Sequence, residues 1–290
     1  MKILLTGIHG QVGFELQRSL QGLGQVVALD RQAMDLADLI QVRQVIREIK
    51  PGLIVNPAAY TAVDKAESEV ELAYRINSHA VEVMAQEAKK LGAAMIHYST
   101  DYVYDGSKPG AYVEQDATNP LGVYGASKLA GEDAIRASGV SHLIFRTSWV
   151  YGMRGKNFLL TMLRLMQERD QLRVVSDQIG APTWCRSIAD ATAHVVAQAR
   201  VSSSADWWQE NTGVYHLSCQ GETSWHGFTA AILALIESEK KPQLHAIRSD
   251  EYPTPAKRPA NSRLSCAQFQ ARFCDLPDWQ TALALCMAKS

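Results

Sequence analysis

A tyrosine and a lysine stand four positions apart in the stretch Asn119-Pro120-Leu121-Gly122-Val123-Tyr124-Gly125-Ala126-Ser127-Lys128-Leu129-Ala130-Gly131-Glu132. If this stretch begins a helix, Tyr124 and Lys128 lie one turn apart on the same face and can act as a pair. A free tyrosine titrates near pH ~10, and lowering that pKa by about 3 units requires roughly 4 kcal/mol. A unit charge about 4 Å away supplies on the order of 4 kcal/mol at an effective dielectric of about 20. The pair therefore predicts a tyrosine that exchanges a proton near neutral pH because Lys128 lowers its pKa.

The same spacing occurs a second time, at Tyr104 and Lys108. This copy runs through Asp105-Gly106-Ser107-Lys108-Pro109-Gly110, whose glycines and proline are typical of a turn. A turn cannot hold the helical i, i+4 relation, so we interpret the second copy as accidental. The interpretation of Tyr124 depends on motifs elsewhere in the chain.

The composition is that of an ordinary globular protein. The chain has 290 residues, 47% of them hydrophobic and 20% charged, which suffices for two domains or one large α/β unit with an appendage. A net charge of -1 gives no general attraction to nucleic acid or to an anionic membrane, so we expect a small-molecule partner. With no secretory signal and no apolar stretch near the ~20 residues of a membrane span, we expect a cytoplasmic protein.

The cysteines are odd in number and lack CxxC spacing, which argues against a disulfide framework and against a zinc site. We expect free thiols at Cys185, Cys219, Cys266, Cys274 and Cys286.

A glycine-rich loop follows the first predicted strand, Lys2-Ile3-Leu4-Leu5, and precedes a helical run from Phe14 to Leu20. Backbone N–H groups at the start of such a helix, together with its dipole, form a site for a pyrophosphate. The glycine spacing is GxxGxxG rather than GxGxxG, so the dinucleotide fingerprint fits in mechanism but not in every position. We predict that the cofactor binds at Gly7, Gly10, Gln11, Val12 and Gly13, and that His9 is a hydrogen-bonding turn residue.

The second strand, Gln25 to Asp30, ends in an acid at the distance where a carboxylate binds the adenosine ribose. Asp30 favours NAD, whereas Arg31 beside it is suited to the 2′-phosphate of NADP, so the pattern leaves both cofactors open. After the third strand, Leu53 to Asn56, small side chains allow the backbone to approach a cofactor. These two regions add the predicted cofactor contacts Asp35, Leu36, Ala58, Ala59, Tyr60 and Thr61.

The remaining pattern of the first half alternates helices with strands. Helices are predicted over 64–75 and 77–91, a fourth strand over 93–101 and a fifth over 142–146. Because the carboxyl ends of parallel strands share one edge of a sheet, Thr100 should lie beside the glycine loop and can hydrogen-bond a reacting oxygen. The alternation predicts an α/β fold, a Rossmann-type doubly wound parallel sheet over residues 1–150.

The second half alternates less regularly. Helices are predicted over 157–167, 188–200 and 224–237, a strand over 214–217 and a loop over 201–206. The proline-rich segment 252–264 contains cations suited to a diphosphate. We predict that 151–290 is mainly a smaller substrate-binding lobe, with some segments returning to the sheet.

Three motifs in order, Thr6-Gly7-x-x-Gly10-x-x-Gly13, Ser99-Thr100-Asp101 and the Tyr124/Lys128 pair, resemble the extended short-chain dehydrogenase/reductase superfamily. Longer segments resemble the dTDP-4-dehydrorhamnose reductase family within it, and this resemblance covers nearly the whole chain. These segments are 56–67, 97–104, 145–151, Asp177-Gln178-x-Gly180-Ala181-Pro182-Thr183, 252–256 and Arg258-Pro259-x-Asn261-Ser262-Arg263-Leu264.

The resemblance implies reduction of the 4-keto group of dTDP-6-deoxy-L-lyxo-4-hexulose to dTDP-L-rhamnose with NADPH or NADH, a step in making surface polysaccharides. In this reaction Tyr124 protonates the developing alkoxide, Lys128 biases the phenol and holds the nicotinamide ribose, and Thr100 orients the oxygen. The resemblance also implies a cofactor contact at Tyr98 and substrate contacts at Thr100, Asp101, Tyr124, Trp149, Arg258, Asn261 and Arg263.

Some members of this family hold Mg²⁺ with glutamates at a dimer interface, which makes a homodimer an expectation for this chain. Glu15 matches one such glutamate, but Arg186 stands where another carboxylate aligns. A cation in place of an anion argues against a metal here and favours a salt bridge, so no metal ligand is predicted.

Two other functions are compatible with this fold. The first is that of a related nucleotide-sugar dehydratase. Such enzymes place a glutamate after the Thr-Asp pair for elimination, whereas Tyr102 here cannot replace a carboxylate base. An epimerase of the same fold belongs to this first class. The second is a nucleotide-binding regulatory subunit resembling that of methionine adenosyltransferase, which keeps the loop and needs no turnover. Turnover by the purified chain alone distinguishes them.

Overall fold

Six parallel strands form the central sheet of the computed structural model, which describes residues 1–237 and 241–288. The strands are β1 (Lys2–Leu5), β2 (Gln25–Ala28), β3 (Leu53–Asn56), β4 (Ala94–Thr100), β5 (His142–Thr147), β6 (Val150–Tyr151), β7 (Gln171–Val175), β8 (Ile179–Gly180), β9 (Thr183–Trp184), β10 (Gly213–His216), β11 (Thr223–Ser224) and β12 (Gln243–Ile247). The helices are α1 (Gln11–Ser19), α2 (Leu39–Ile49), α3 (Val63–Ala66), α4 (Val70–Tyr74), α5 (Ala80–Leu91), α6 (Val123–Ser138), α7 (Phe158–Glu168), α8 (Cys185–Val201), α9 (Trp207–Glu210), α10 (Trp225–Leu235), α11 (Ala267–Arg272) and α12 (Trp279–Met287).

The strand order in the central sheet is β10-β5-β4-β3-β1-β2. The connection from β1 to β2 leaves in one direction and the later strands extend in the other, so a crevice opens between the carboxyl ends of β1 and β3. Both faces of the sheet are covered, because the strands β1, β3, β4 and β5 carry apolar residues on each side. The predicted doubly wound parallel sheet is confirmed.

Separate apolar cores lie on the two faces of this sheet. On one face α1, α8 and α11 contribute Leu16, Ile188 and Phe269. On the other face α2, α5 and α6 contribute Ile46 and Ile135 together with a row of small and apolar residues of α5. Helix α6, which carries Tyr124 and Lys128, is therefore fixed on the second face by its own buried side.

The helix predicted over 64–75 is divided in the structure. The Ser68 hydroxyl and the Ser68 backbone N–H both donate to the Lys65 carbonyl, at 3.1 and 3.0 Å, which ends α3 by local competition for that acceptor. A π-helical turn at Arg75–His79 then joins α4 to α5. The sequence pattern predicted one continuous helix because neither local feature changes the apolar periodicity.

Segments after residue 150 serve both the sheet and a smaller cluster. Strand β10 pairs with β5, and α8 packs on α1. A third apolar core combines residues of α7, α10 and α12, beside the short pairs β12–β7, β11–β8 and β6–β9. The division into units at residue 150 stays a prediction. Among the described residues, no helix has both the length and the apolar content needed to cross a membrane.

Candidate active site

A cavity of about 840 Å³ lies at the carboxyl ends of β1, β3, β4 and β5. It brings together every residue predicted for the cofactor and four of those predicted for the substrate. The predicted residues that line it are Gly7, Gly10, Gln11, Val12, Gly13, Asp30, Arg31, Asp35, Leu36, Ala58, Ala59, Tyr60, Thr61, Tyr98, Thr100, Asp101, Tyr124, Lys128 and Trp149.

The glycine loop depends on glycine for its backbone conformation and for its close packing. Gly7 has φ +62°, and a Cβ added to it would lie 3.0 Å from Ala58 Cα. A Cβ on Gly13 would lie 2.1 Å from the Gly7 carbonyl oxygen, so the third glycine lets α1 pack against the loop. Gly10 caps α1 without a side-chain hydrogen bond, which leaves the first N–H groups of the helix for an anion. The loop thus fits the pyrophosphate of a dinucleotide.

Asp30 lies at the rim of the cavity, and its carboxylate stabilises the turn that follows it. One carboxylate oxygen accepts from the backbone N–H groups of Gln32 and Ala33, at 3.0 and 2.9 Å, and the second lies 3.5 Å from His9 Nε2. The N–H of Ala33 lowers the pKa of Asp30, and His9 acts in the same direction. Arg31 is exposed and forms an ion pair with Asp35 at 3.4 Å. An acid and a cation therefore stand side by side where the adenosine ribose is predicted.

Tyr124 lies in the first turn of α6 and packs edge-on against Tyr102, with ring centroids 5.5 Å apart. Burial raises the pKa of Tyr124 to about 12, while a side-chain hydrogen bond with Thr100 acts to lower it. The Thr100 hydroxyl donates to Asp101 Oδ1 at 2.9 Å. The phenol is thus a protonated group at neutral pH and is held beside the threonine predicted to orient the substrate oxygen.

Lys128 does not form the direct pair with the phenol that the i, i+4 spacing predicts. Its ammonium donates to the Tyr98 carbonyl oxygen at 2.7 Å and lies 3.1 Å from His97 Nε2. Burial lowers the pKa of Lys128 to about 8, against the effect of Glu132. Strand β4 holds the ammonium and burial is the largest influence on the pKa of both groups, so the prediction that Lys128 lowers the Tyr124 pKa stays a prediction.

Asp101 carries an unpartnered oxygen next to these groups. The residue is 3% exposed, and no side chain or backbone group described in the structure hydrogen-bonds its Oδ2. Burial raises the pKa of Asp101 to about 6, while the hydrogen bond that Oδ1 accepts from Thr100 acts to lower it. A buried carboxylate oxygen without a partner carries a desolvation cost that a ligand hydroxyl would relieve.

Trp149 forms a wall of the cavity in a strained backbone conformation. Its φ is +47°, which is rare for a bulky residue, and its ring stacks on Trp225 with centroids 3.6 Å apart. The Trp225 indole N–H donates to Gln178 Oε1 at 3.1 Å. A Cβ on Gly180 would lie 2.7 Å from the Trp149 ring, so the stack requires glycine there.

Three predicted substrate residues do not line this cavity. Asn261 donates to the carbonyl oxygens of Lys108 and Gly110, at 2.6 and 2.8 Å, and its own oxygen accepts from Arg263. Arg263 also donates to the Pro109 carbonyl, and Arg258 donates to Asp64 at 2.9 Å. These contacts account for Asn261 and Arg263 as packing of segment 252–264, whereas the buried Nε of Arg258 has no hydrogen-bond partner among the described residues. The binding role of all three stays a prediction.

A clamp over the glycine loop was not predicted. Asn157 Nδ2 donates to Gln11 Oε1 at 2.9 Å and to the Gly152 carbonyl at 2.8 Å, while its Oδ1 caps α7. The clamp joins two residues 146 positions apart, so no local pattern indicates it. A cap signal was present in the sequence, since asparagine is a preferred residue before a helix.

The second tyrosine–lysine copy is a structural feature. Tyr104 is buried and accepts from Arg146 Nη1 at 2.6 Å, and its hydroxyl lies 2.9 Å from His216 Nε2. Lys108 forms an ion pair with Asp116 at 2.5 Å. Because Lys108 is not on a helix with Tyr104, the interpretation of this copy as accidental is confirmed.

The region around Glu15 does not fit a divalent cation. Arg18 and Arg186 share its surface depression with Asp190, which lies 3.6 Å from Arg186 Nε and accepts from Ser19 at 2.7 Å. Two cations beside the acids oppose a further positive charge. In residues 1–237 and 241–288, no three His, Cys, Asp or Glu side chains are grouped closely enough to hold a metal ion.

The chain is similar to known proteins along its whole length. The family model of the RmlD substrate binding domain matches residues 1–290. A dTDP-4-dehydrorhamnose reductase of Burkholderia thailandensis is 49% identical over 294 residues, covering 99% of this chain and 98% of that protein. The crystal structure of a dTDP-4-dehydrorhamnose reductase of Clostridium acetobutylicum has a TM-score of 0.90 at 35% identity and covers 99% of this chain and 98% of its own. The enzyme of that name from Bacillus anthracis, solved in complex with NADP, has a TM-score of 0.90 at 33% identity and covers 98% of each chain.

Proposed function

This chain belongs to the RmlD family, and we propose that it reduces the 4-keto group of dTDP-4-dehydro-β-L-rhamnose to dTDP-L-rhamnose with NAD(P)H, the final step of dTDP-rhamnose biosynthesis. The observation that carries the proposal is one cavity holding the glycine loop, Tyr124, Thr100 and Lys128. A dinucleotide site next to a buried, protonated phenol suits the reduction of a ketone, since that reaction needs a hydride at carbon and a proton at oxygen.

The bound reduced nicotinamide supplies the hydride. The phenol of Tyr124 gives its proton to the substrate oxygen as the carbonyl becomes an alcohol. Lys128, one helical turn away on the same side of α6, stabilises the phenolate that remains, because its positive charge lies in a buried region of low dielectric. The Thr100 hydroxyl orients the substrate oxygen, and the free Oδ2 of Asp101 accepts a hydrogen bond from a sugar hydroxyl.

The backbone N–H groups at the start of α1 would hold the pyrophosphate of the cofactor, and Asp30 and Arg31 would hold its adenosine ribose. Trp149 excludes water from one side of the reacting sugar. The clamp of Asn157 on Gln11 keeps the segment 152–156 over the loop.

The test is turnover by the purified chain alone. We expect consumption of NAD(P)H, followed by its absorbance, when the 4-keto sugar linked to dTDP is added, with dTDP-L-rhamnose identified as product by NMR. Cofactor binding without turnover would contradict the proposal and favour a regulatory subunit. Release of water from a dTDP-hexose would instead favour a dehydratase, but burial raises the pKa of Tyr102, which stands where that chemistry needs a carboxylate.

Both NADH and NADPH are expected to support turnover, because Asp30 suits the ribose hydroxyl and Arg31 suits a 2′-phosphate. Asp30→Ala should weaken NADH more, and Arg31→Ala should weaken NADPH more, each by about tenfold or greater in kcat/KM. Asp30→Asn is the matched variant, since it keeps an oxygen for the N–H groups of Gln32 and Ala33 while removing the charge. Equal effects on the two cofactors would show that this strand end does not face the ribose.

Activity is expected to survive exhaustive treatment with EDTA, because Arg18 and Arg186 occupy the surroundings of Glu15. The measurement compares kcat/KM of treated enzyme with that of the same enzyme after Mg²⁺ is returned. A loss that Mg²⁺ reverses would overturn this interpretation.

A further inference from the structure

A row of buried polar side chains crosses the central sheet beneath the cavity. It begins at Thr6 after β1, continues through Asn56 at the end of β3 and His97 in β4, and ends at Lys128 of α6. Strand register explains the row, since Asn56 and His97 are direct partners in the β3–β4 pair. His97 is completely buried in a strand whose other core positions are mostly apolar, so its imidazole needs a specific reason to be there.

The distances along this row fix what each group can do. Thr6 Oγ1 lies 2.6 Å from one terminal atom of the Asn56 amide, and the other terminal atom lies 3.1 Å from His97 Nδ1. His97 Nε2 lies 3.1 Å from Lys128 Nζ. Both ring nitrogens are therefore in hydrogen-bond contact with protein, and neither faces solvent.

The proton of His97 has one position that satisfies every contact. Burial holds the pKa of His97 well below its ordinary value, and the Lys128 charge acts in the same direction, so the ring is neutral and carries one proton. An ammonium can only donate, so Nε2 must accept from Lys128 and the proton must be on Nδ1. Nδ1–H then needs an acceptor, which is the amide oxygen of Asn56.

This proton assignment also orients the Asn56 amide. The oxygen and nitrogen of an amide are assigned from the hydrogen-bond network rather than from shape, and the network here places the oxygen toward His97. The Asn56 NH₂ group then donates to Thr6 Oγ1, which also accepts from the Ala58 N–H at 3.3 Å. Because the Thr6 oxygen accepts two hydrogen bonds, its hydroxyl proton is free to point away from Asn56 and Ala58. Thr6 lines the cavity, so this proton can point into it.

We propose that His97 is the positioning residue of Lys128: as the Nδ1–H tautomer, fixed by Asn56, it accepts a hydrogen bond from the ammonium and keeps that group charged at the floor of the cavity. Together His97 and the Tyr98 carbonyl take two of the three ammonium protons, which leaves the third for the cavity. The groups that bear on Lys128 are His97 from β4 and, along α6, Tyr124 and Glu132, of which Glu132 is already bonded to Arg146. His97 is therefore the group in this set whose replacement should change the pKa of Lys128.

The direct test is ¹⁵N NMR of the histidine rings in the wild-type protein, with the His97 signals assigned by their absence from His97→Gln. We expect a protonated Nδ1 and an unprotonated Nε2. A protonated Nε2 would overturn the proposal. Because this measurement needs no substrate, it stands whatever the fate of the proposed reduction.

Two variants distinguish the role of His97 Nε2 from that of His97 Nδ1. His97→Gln keeps an oxygen near the position of Nε2, whereas His97→Asn keeps a partner for Asn56 and removes the acceptor of Lys128. We expect His97→Gln to retain kcat/KM within a few-fold and His97→Asn to lose about tenfold to a hundredfold. The fall of kcat/KM at alkaline pH should also move lower by about one unit in His97→Asn, because an ammonium without its acceptor loses its proton more easily.

Thermal unfolding and NADPH binding of both variants provide the folding control. Identical pH profiles in two folded variants would show a purely structural histidine and would overturn the proposal. If neither variant folds, the tautomer measured in the wild-type protein decides, with the His97 ring signals assigned through their scalar couplings to the His97 backbone.

Discussion

Replacing Tyr124 by phenylalanine is expected to lower kcat by about 10²–10⁴-fold, the usual contribution of a general acid. The ring keeps its packing against Tyr102, and the affinity for NAD(P)H should change little because the pyrophosphate site is elsewhere. The raised pKa of Tyr124, about 12, means that the wild-type phenol carries its proton throughout the neutral range. Steady-state kinetics with saturating cofactor measure the effect.

Tyr104→Phe is the matched control, since it makes the same atomic change in the second copy of the motif. The Tyr104 hydroxyl serves Arg146, His216 and the Val113 carbonyl rather than the cavity. Its removal should lower the free energy of unfolding by about 1–3 kcal/mol and leave kcat of the folded protein within a few-fold of wild type. Equal losses of kcat in the two variants would show that Tyr124 has no special role.

Lys128→Met is expected to lower kcat by at least about a hundredfold and to weaken NAD(P)H binding as well. The variant loses a buried positive charge that stabilises the phenolate and a donor assigned to the nicotinamide ribose. Burial lowers the wild-type pKa of Lys128 to about 8, so the ammonium is charged below that pH and neutral above it. Wild-type kcat/KM should therefore fall as pH rises through about 8, and the residual activity of Lys128→Met should lack this fall.

Lys108→Met is the control for this variant. Lys108 forms a partly exposed ion pair with Asp116, and such pairs contribute about 0–1 kcal/mol to stability. Its kcat and its pH profile should match those of wild type. A wild-type alkaline fall that persists in Lys128→Met would assign that titration to another group.

The cofactor half of the site could be predicted because its signals are local. The glycines of the loop stand three residues apart, and Asp30 lies two residues after the end of β2. Apolar runs fixed β1, β3 and β4 for the same reason, since each is buried on both faces and needs no distant partner to be recognised.

The environment of Lys128 could not be predicted in this way. The helical spacing correctly placed Tyr124 and Lys128 on α6, but the ammonium takes its partners from β4, about 30 residues earlier in the chain. In the basic segment 252–264, the residue types suggested a binding site that the observed contacts do not require. Arg263 and Asn261 have the chemistry of a diphosphate site, yet carbonyl oxygens and Glu222 already satisfy them.

The most direct measurement of the central claim is a single turnover of bound 4-keto sugar and NADPH, followed by stopped-flow absorbance of the reduced nicotinamide in wild type and in Tyr124→Phe. Single-turnover conditions observe the chemical step without product release. If Tyr124 supplies the proton, the variant should bind both ligands and oxidise NADPH at least about a hundredfold more slowly than wild type. Oxidation by Tyr124→Phe at the wild-type rate would contradict the assignment of this tyrosine as the acid.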